Sequence, residues 1–263
     1  MDLHLDGKVA LVTGGNRGLG AACAAMLASE GARIFLTARD DEKLTETAQA
    51  ISGSSGAEVG AMAVDLTKPD AADAVVEAAI KKFGRIDILV NSAGASKGGV
   101  FWEVPDQVWQ DSFDLKFMAT VRMMRAVIPG MRAQGYGRIV SIVGNTGKQP
   151  PSTMLPSASA NAALLVVTKG LAEEVVKDGI IVNAVNPGPT RTERMATILN
   201  NIQQSSGRPM DEVEKDFVSN IPMKRMGEPE EIARLVTFLA SDMAANLTGI
   251  SITADGGSTK ALA

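Results

Sequence analysis

Short apolar runs rich in β-branched residues alternate with longer segments of helical pattern along the chain. The short runs have the length and composition of buried strands, and the segments between them are typical of helices packed on a sheet. The predicted strands cover residues 8–13, 33–37, 59–64, 86–90, 138–143, 180–185 and 249–253. The predicted helices cover residues 21–30, 40–51, 69–84, 106–133, 157–177 and 228–241. Alternation without an internal linker predicts one α/β domain over residues 1–263, a doubly wound parallel sheet of seven strands with helices on both faces.

The segment 192–226 interrupts this rhythm. It is polar overall, and we interpret it as an insertion that covers the substrate. Its apolar side chains would then form a pocket wall, although packing on one another inside the insertion would give the same composition. These residues are Met195, Ile198, Leu199, Met210 and Phe217.

A glycine-rich stretch, Thr-Gly-Gly-Asn-Arg-Gly-Leu-Gly at 13–20, joins the first strand to the first helix. Glycine lets the backbone approach a pyrophosphate closely, and a helix N-terminus offers free N–H groups and a positive dipole end. The spacing of Gly14, Gly18 and Gly20 is weak evidence alone, because glycines also serve plain turns. A strand before them and a helix after them favour a phosphate-binding loop.

Composition places the chain among ordinary globular proteins, with 45% hydrophobic and 21% charged residues. The net charge of −4 gives no reason to expect a nucleic-acid partner. A single cysteine, Cys23, excludes a disulfide within the chain, and we expect it in the core. No run resembles a signal peptide or reaches the length of a membrane span, so we expect a cytoplasmic protein without a membrane partner. No metal site is predicted.

Motifs at the predicted strand ends resemble those of one family. In a doubly wound sheet the ligand lies beyond the carboxyl ends of the strands. The chain resembles a short-chain dehydrogenase/reductase over essentially its whole length, which implies a Rossmann-type fold and nicotinamide-cofactor binding. The matching segments are 13–20 (T-G-x-x-x-G-x-G), 91–94 (N-N-A-G, with one substitution), 186–192 (N-x-P-G-x-x-x-T) and 255–257 (D-G-G).

The resemblance assigns cofactor contacts to these motifs and to neighbouring strand ends. Asp65 corresponds to an adenine contact in the family, and capping of the helix near Pro69 is its alternative role. The implied cofactor-binding residues are Thr13, Gly14, Asn16, Arg17, Gly18, Leu19, Gly20, Arg39, Asp65, Leu66, Asn91, Ala93, Gly94, Pro187, Gly188, Thr190 and Thr192.

The end of the second strand indicates which cofactor binds. An acidic residue there would accept hydrogen bonds from the adenosine ribose and repel a 2′-phosphate. This chain has Ala38 at that position, Arg39 after it and Arg17 in the glycine loop. Two guanidinium groups without a carboxylate favour NADP(H) over NAD(H). The alternative is that Arg39 pairs with Asp40 or Asp41 at the surface.

The family's catalytic pattern is changed. It consists of a Tyr-x-x-x-Lys pair, a serine before it and an asparagine in the preceding long helix. The single tyrosine, Tyr136, precedes the fifth strand, at the end away from the expected active site. Segment 168–174 resembles the continuation of the family's active-site helix, and counting back places Ser157 at the tyrosine and Asn161 at the lysine. Gly144 falls at the serine and Lys116 at the asparagine.

The asparagine and the lysine have therefore exchanged helices. We predict Lys116, Ser157 and Asn161 as catalytic residues, with Lys116 or a bound water replacing the tyrosine as proton donor. The alternative is that Lys116 extends to solvent or pairs with Asp114 or another carboxylate. Lys148, after the fifth strand, is expected to be a solvated surface residue.

Three functions agree with intact cofactor motifs and changed catalytic motifs. The first is an NADP(H)-dependent oxidoreductase that acts on a small carbonyl or alcohol, and the resemblance favours it. The second is a lyase, dehydratase or isomerase on the same fold, and the third is a non-catalytic NADP(H)-binding sensor. The resemblance also implies a homo-oligomer, a dimer or tetramer, that associates through 157–177 and 228–257.

Overall fold

Seven parallel strands form one sheet in the computed structural model, which describes residues 2–94 and 98–260. The strands are β1 (Val9–Thr13), β2 (Arg33–Ala38), β3 (Val59–Ala63), β4 (Ile88–Asn91), β5 (Gly137–Ile142), β6 (Ile180–Pro187) and β7 (Ser251–Ala254). Their order across the sheet is β3-β2-β1-β4-β5-β6-β7, and all neighbouring pairs are parallel. This confirms the predicted doubly wound seven-stranded sheet. The order reverses between β1 and β4, so the carboxyl ends of these two strands mark the ligand-binding crevice.

Helices connect the strands on both faces. They are α1 (Gly18–Ser29), α2 (Asp41–Ser55), α3 (Ala71–Phe83), α4 (Asp106–Ser112), α5 (Ala119–Gln134), α6 (Leu155–Val175), α7 (Glu193–Ser206), α8 (Met210–Val218) and α9 (Pro229–Leu239). The long helix predicted over 106–133 is interrupted by a π-helical turn, Phe113–Met118, between α4 and α5. None of the described helices is long and apolar enough to cross a membrane.

Each face of the sheet has its own buried core. Since successive strand residues point to opposite faces, Leu89 and Val90 of β4 enter different cores. Val90 packs in the core that α1 and α9 cover, and Leu89 packs in the core of α3, α5 and α6. Cys23 of α1 is fully buried in the first core, as predicted, and burial raises its thiol pKa to about 12. A thiol that remains protonated is unreactive, so Cys23 has a packing role.

The start of α3 differs from the sequence-based prediction. α3 begins at Ala71 after Asp70, so Pro69 lies outside the helix. The Asp65 carboxylate accepts hydrogen bonds from the backbone N–H and the hydroxyl of Thr67, at 3.1 and 2.9 Å. The alternative role of Asp65 as a cap of this helix is therefore wrong. Its side chain instead fixes the turn that follows β3.

The insertion at 192–226 folds into α7 and α8, which pack on each other. Four of its five apolar residues belong to a small core of the insertion, which favours internal packing over the predicted pocket wall. Ile198 is outside that core. The core of the insertion consists of Leu199, Val213 and Met226, with Met195, Met210, Phe217 and Val218 packed against them.

Candidate active site

The glycine loop between β1 and α1 requires glycine at several positions. Gly14 and Gly18 have φ angles of +63° and +55°, a left-handed conformation that favours glycine. A Cβ on Gly14 would lie 3.0 Å from the backbone of Ala93, and a Cβ on Gly20 would collide with the carbonyl oxygen of Gly14. Glycine at 14 and 20 therefore lets the loop pack closely on itself and on the segment after β4, at the crevice between β1 and β4.

The start of α1 has the features of an anion site. The residue before α1, Arg17, makes no side-chain cap, so the first N–H groups of the helix have no side-chain acceptor among the described residues. Such groups, with the positive end of the helix dipole, form an anion site. The first turn holds Gly18, Leu19 and Gly20 from the predicted cofactor set, and Asn16 precedes it in the loop.

Thr13 fixes the loops after β1 and β4 to each other. Its hydroxyl oxygen accepts hydrogen bonds from the backbone N–H groups of Ser92 and Ala93, at 3.0 and 3.2 Å. Segment 91–94 is thereby held beside the glycine loop, which explains why a threonine at the end of β1 and a small residue at 93 occur together.

Arg39 and Asp65 follow β2 and β3 at the adjacent edge. Hydrogen bonds from Thr67 lower the pKa of the Asp65 carboxyl, and the nearby charge of Arg39 adds to this effect. Arg39 is exposed and forms no ion pair with a described carboxylate, Asp40 and Asp41 included. Asp40 caps α2 instead by accepting the Lys43 N–H at 3.1 Å. Leu66, next to Asp65, is buried.

Arg17 has a partner that the sequence did not indicate. The Glu193 carboxylate, the first residue of α7, lies 3.8 Å from the Arg17 guanidinium. Both Glu193 oxygens accept hydrogen bonds from the Lys43 ammonium at 2.8 Å. The insertion is thus joined to the glycine loop and to α2 by one carboxylate. No local pattern reveals these contacts, because their members are distant in the sequence, with Lys43 and Glu193 lying 150 residues apart.

The segment after β6 reaches the glycine loop from the opposite side. Gly188 donates its N–H to Ala254 at 3.1 Å, and a Cβ there would lie 2.5 Å from the Asp255 Cβ. The Thr190 hydroxyl bonds back to the Gly188 carbonyl at 3.0 Å. The Thr192 methyl group would lie 3.6 Å from a Cβ on Gly18. Residues 187–192, with buried Pro187 at the end of β6, therefore border the crevice.

Lys116, Asn161 and Thr146 form a hydrogen-bonded chain at the carboxyl edge of β5. The Lys116 ammonium donates to the Asn161 side-chain oxygen at 2.9 Å, and the Asn161 amide NH₂ donates to the Thr146 hydroxyl at 2.8 Å. Lys116 comes from the π-helical turn and Asn161 from α6, so the exchanged residues meet. Neither alternative for Lys116, bulk solvent or Asp114, describes this arrangement.

The backbone leaves space for the lysine. A Cβ on Gly94 would lie 3.2 Å from the Lys116 Cγ and 3.6 Å from its Nζ, so the glycine after β4 accommodates the side chain. Burial, followed by the charge of Arg194, lowers the pKa of Lys116 to about 8. An amine with this pKa exchanges protons near neutral pH.

Ser157 lies one helical turn before Asn161 on α6 and is buried. Its hydroxyl makes no hydrogen bond to Lys116 or Asn161 within the part of the chain that the structure describes. Of the three predicted catalytic side chains, Lys116 and Asn161 are in direct contact, and Ser157 adjoins them through the helix.

A row of buried polar side chains on the sheet lies next to the hydrogen bonds of Lys116, Asn161 and Thr146. The sequence analysis predicted only one of these side chains, Asn91, as a site residue. Asn91 of β4 donates to the Ser141 hydroxyl of β5 at 3.3 Å. Asn186 of β6 shares the strand face of Val182 and Ala184, the face that carries Asn91 and Ser141 in the neighbouring strands. Asn186 is fully buried, and neither its amide nitrogen nor its oxygen has a partner among the described residues. Buried polar groups of this kind require an explanation, and a ligand site is one.

Substitution of Asn186 by valine should not destabilise the protein, whereas the same change at Asn183 of the same strand should. The Asn183 amide donates to the Leu247 carbonyl at 2.7 Å and accepts from the Ile250 N–H at 3.2 Å, so valine removes the partner of two partly buried backbone groups. We expect Asn183→Val to lower the free energy of unfolding by roughly 1–3 kcal/mol. Asn186→Val should leave it unchanged or raise it. Urea titrations compare the two variants, and an equal loss in both contradicts the assignment of Asn186 as unpartnered.

Three other positions complete the comparison with the sequence reading. Gly144, at the place of the family's serine, has φ +108°, and a Cβ there would lie 3.1 Å from the Asn161 amide nitrogen. Tyr136 lies before β5, where its hydroxyl donates to Asp242 at 3.0 Å, so it is a structural residue. Lys148 is half-buried and donates to the Ser251 carbonyl at 3.0 Å, so the expectation of a solvated lysine is wrong.

Known proteins resemble this chain over its full length. A family model described as enoyl-(acyl carrier protein) reductase matches residues 14–259. The uncharacterized oxidoreductase YvrD of Bacillus subtilis is 36% identical over 266 residues, covering all of both chains. The 3-oxoacyl-[acyl-carrier-protein] reductase FabG of Escherichia coli is 34% identical and covers 97% of this chain and 98% of its own. The crystal structure of L-sorbose reductase from Gluconobacter frateurii, complexed with NADPH and L-sorbose, has 37% identity, a TM-score of 0.96 and full coverage of both chains.

Proposed function

The chain belongs to the short-chain dehydrogenase/reductase family, and from that premise we propose that it reduces a small carbonyl compound with NADPH, using Lys116 as the proton donor. Family membership makes it an NAD(P)-dependent oxidoreductase. The observation that carries the proposal is the 2.9 Å hydrogen bond between the Lys116 ammonium and the Asn161 side-chain oxygen. This contact holds the titratable Lys116 ammonium at the carboxyl edge of the sheet, where the family's tyrosine and lysine act.

The residues at the crevice fit the dinucleotide. The backbone of the glycine loop and the uncapped start of α1 would hold the diphosphate. Asp65 and Leu66 would border the adenine, and residues 187–192 would border the nicotinamide end. When bound, the reduced nicotinamide supplies a hydride to the carbonyl carbon.

Arg39 favours the phosphorylated cofactor. Its guanidinium lies beyond β2 without a carboxylate partner in the described part of the chain, whereas Glu193 already neutralises part of the Arg17 charge. A 2′-phosphate would find its strongest free cation at Arg39. The relative crystallised with NADPH agrees with this preference.

Arg39→Ala should weaken NADPH binding by roughly 10- to 100-fold, the value of one charge-assisted hydrogen-bonded contact, and leave NADH binding unchanged. Dissociation constants of both cofactors, measured by fluorescence titration, test this. Arg132→Ala is the matched control, since Arg132, near the end of α5, pairs with Asp178 just before β6, away from the crevice. Equal affinity of the unmodified protein for NADPH and NADH rules out the preference.

Lys116 is positioned to give a proton to the substrate oxygen. An ammonium carries three N–H donors. One is bound to Asn161, and the others remain for an oxygen that gains negative charge as the carbonyl is reduced. Thr146 accepts from the Asn161 amide nitrogen, and this contact keeps the amide oxygen directed at Lys116. Ser157, on the same helix, orients the substrate oxygen in this scheme.

A cofactor titration followed by a screen of ketones, aldehydes and alcohols tests the function. Consumption of NADPH together with alcohol formation supports it. Two other outcomes overturn it in favour of the alternatives. Conversion of a substrate without a change in NADPH identifies a lyase, dehydratase or isomerase, and tight NADPH binding without any conversion identifies a sensor.

A further inference from the structure

The segment after β7 carries the D-G-G motif at 255–257 and contacts the borders of the crevice. The Ala254 carbonyl accepts the Gly188 N–H at 3.1 Å, from the segment after β6. The Gly256 carbonyl accepts the Met223 N–H at 3.2 Å, from the end of the insertion. These two bonds join the insertion to the segment that would border the nicotinamide.

A third contact runs from Asp255 to the loop after β5. The Asn145 amide NH₂ donates to the Asp255 carboxylate at 3.1 Å. Asn145 begins a 3₁₀ turn, in which Thr146 is the next residue. Thr146 accepts a hydrogen bond from Asn161, and Asn161 in turn accepts one from Lys116. One short turn therefore separates the Asp255 carboxylate from the hydrogen bonds of the proton donor.

The Asp255 carboxylate is itself held in place by the residues that follow it. Its oxygens accept three backbone N–H groups at 2.8–3.1 Å and one threonine hydroxyl at 2.6 Å. The donors are Gly257, Ser258 and Thr259. Burial by itself raises the pKa of the carboxyl, but hydrogen bonds from Thr259 and Asn145 outweigh it, and the pKa lies below its ordinary value. Asp255 is therefore a charged and fixed acceptor at neutral pH.

From this arrangement we infer that Asp255 is a positioning residue for the reaction, acting through Asn145 on the turn that carries Thr146. The inference rests on the proposed function. The Thr146 oxygen has to stay within hydrogen-bond distance of the Asn161 amide, because that contact keeps the amide oxygen directed at Lys116. A displacement of about 1 Å breaks or bends such a bond, and misplacement on this scale lowers rates by up to about 100-fold.

A second side chain of the same loop contacts the same C-terminal segment and provides a matched control. Gln149 donates to the Ser258 carbonyl at 3.4 Å and accepts the Lys260 N–H at 2.7 Å. Gln149 lies outside the 3₁₀ turn, whereas Asn145 is bonded directly to Thr146 in the chain. Loss of the Gln149 contacts should loosen the C-terminal segment without releasing Thr146.

Substitutions at 145 separate charge from shape. Aspartate matches the shape of asparagine, but its carboxylate would face that of Asp255, and their repulsion should displace the turn. Leucine is similar in size and removes only the hydrogen bond. We expect Asn145→Leu to lower kcat by roughly 10-fold and Asn145→Asp by roughly 100-fold at pH 7, with NADPH affinity retained. Gln149→Leu should leave kcat unchanged. The carbonyl compound that the unmodified protein reduces fastest in the screen serves as substrate.

A pH profile supplies a readout that a merely structural role would not move. In the unmodified protein the rate of reduction should begin to fall near the Lys116 pKa of about 8. In Asn145→Leu the ammonium loses a fixed acceptor, which disfavours its charged form, so the fall should begin at lower pH. In Gln149→Leu it should remain near 8. Thermal unfolding followed by circular dichroism establishes that each variant is folded.

The outcomes separate this inference from the proposed function. Full activity of both Asn145 variants overturns the inference and leaves the reductase in place. Higher activity of Asn145→Asp than of Asn145→Leu also overturns it, because that order reflects shape and not charge. An equal loss in Gln149→Leu contradicts a specific role of Asp255. Absence of carbonyl reduction by the unmodified protein overturns the proposed function, and the inference with it.

Discussion

Lys116→Met should lower kcat for carbonyl reduction by roughly 10²- to 10⁴-fold, the range for loss of a general acid. Methionine matches the length and apolar stem of lysine, so the packing against Gly94 is retained. The ammonium, its hydrogen bond to Asn161 and its transferable proton are lost. Affinity for NADPH should change little, because the glycine loop and Arg39 are untouched. Single-turnover kinetics and a cofactor titration measure the two quantities separately.

Two controls define what this result means. Ser157→Ala should cost less, since its hydroxyl orients the substrate and does not supply the proton. Lys169→Met removes an exposed lysine paired with Glu173 on α6 and should leave turnover unchanged. Undiminished turnover of Lys116→Met would falsify the assignment of Lys116 as proton donor.

The site differs from the family's pattern in its backbone conformation as well as in its side chains. Gly144 has a left-handed φ of +108°, and a side chain there would press against the Asn161 amide. A serine at this position is therefore strained in the present loop. Restoring tyrosine at 157 and lysine at 161, with asparagine at 116, changes side chains that face one another. Restoring serine at 144 also demands a new loop path.

The sequence predicted the sheet because its strands are short, apolar and regularly separated by helices. It also brought Lys116 and Asn161 to neighbouring positions, since the residues that they replace act together in the family. The contact itself depends on the π-helical turn and on the absence of a side chain at Gly94. Neither feature produces a periodic signal.

Residues that depend on distant pairing were not predictable. Glu193 meets Lys43 across 150 positions, and only the folded chain joins them. Asn186 resembles any polar residue at a strand end until its burial and lack of partners are known. Arg194 lies in the insertion at 192–226, whose composition agreed both with a wall of the substrate pocket and with internal packing. In each case the sequence supplies a charge or an amide, and tertiary packing decides which group it faces.

The same lysine should make the two reaction directions respond oppositely to pH. Its pKa lies near 8 because burial disfavours the charged form and the charge of Arg194 adds to that effect. Reduction requires the ammonium, so its rate should be constant below pH 8 and fall by about tenfold per pH unit above it. Alcohol oxidation requires the free amine, so its rate should rise to a plateau as pH passes 8. Profiles of kcat/KM in both directions measure this, and parallel profiles contradict it.

Stability offers a check that needs no turnover. Since the folded-state pKa of about 8 lies below the ordinary value of 10.5, the unfolded chain binds more protons between these values. Stability should therefore rise with pH across this interval through Lys116, and the difference between the unmodified protein and Lys116→Met isolates that contribution.

Arg194→Gln removes the smaller of the two causes that lower the Lys116 pKa. The pH at which the rate of reduction begins to fall should therefore move above 8 without reaching the ordinary lysine pKa of 10.5. A break that stays in place in Lys116→Met assigns the titration to another group.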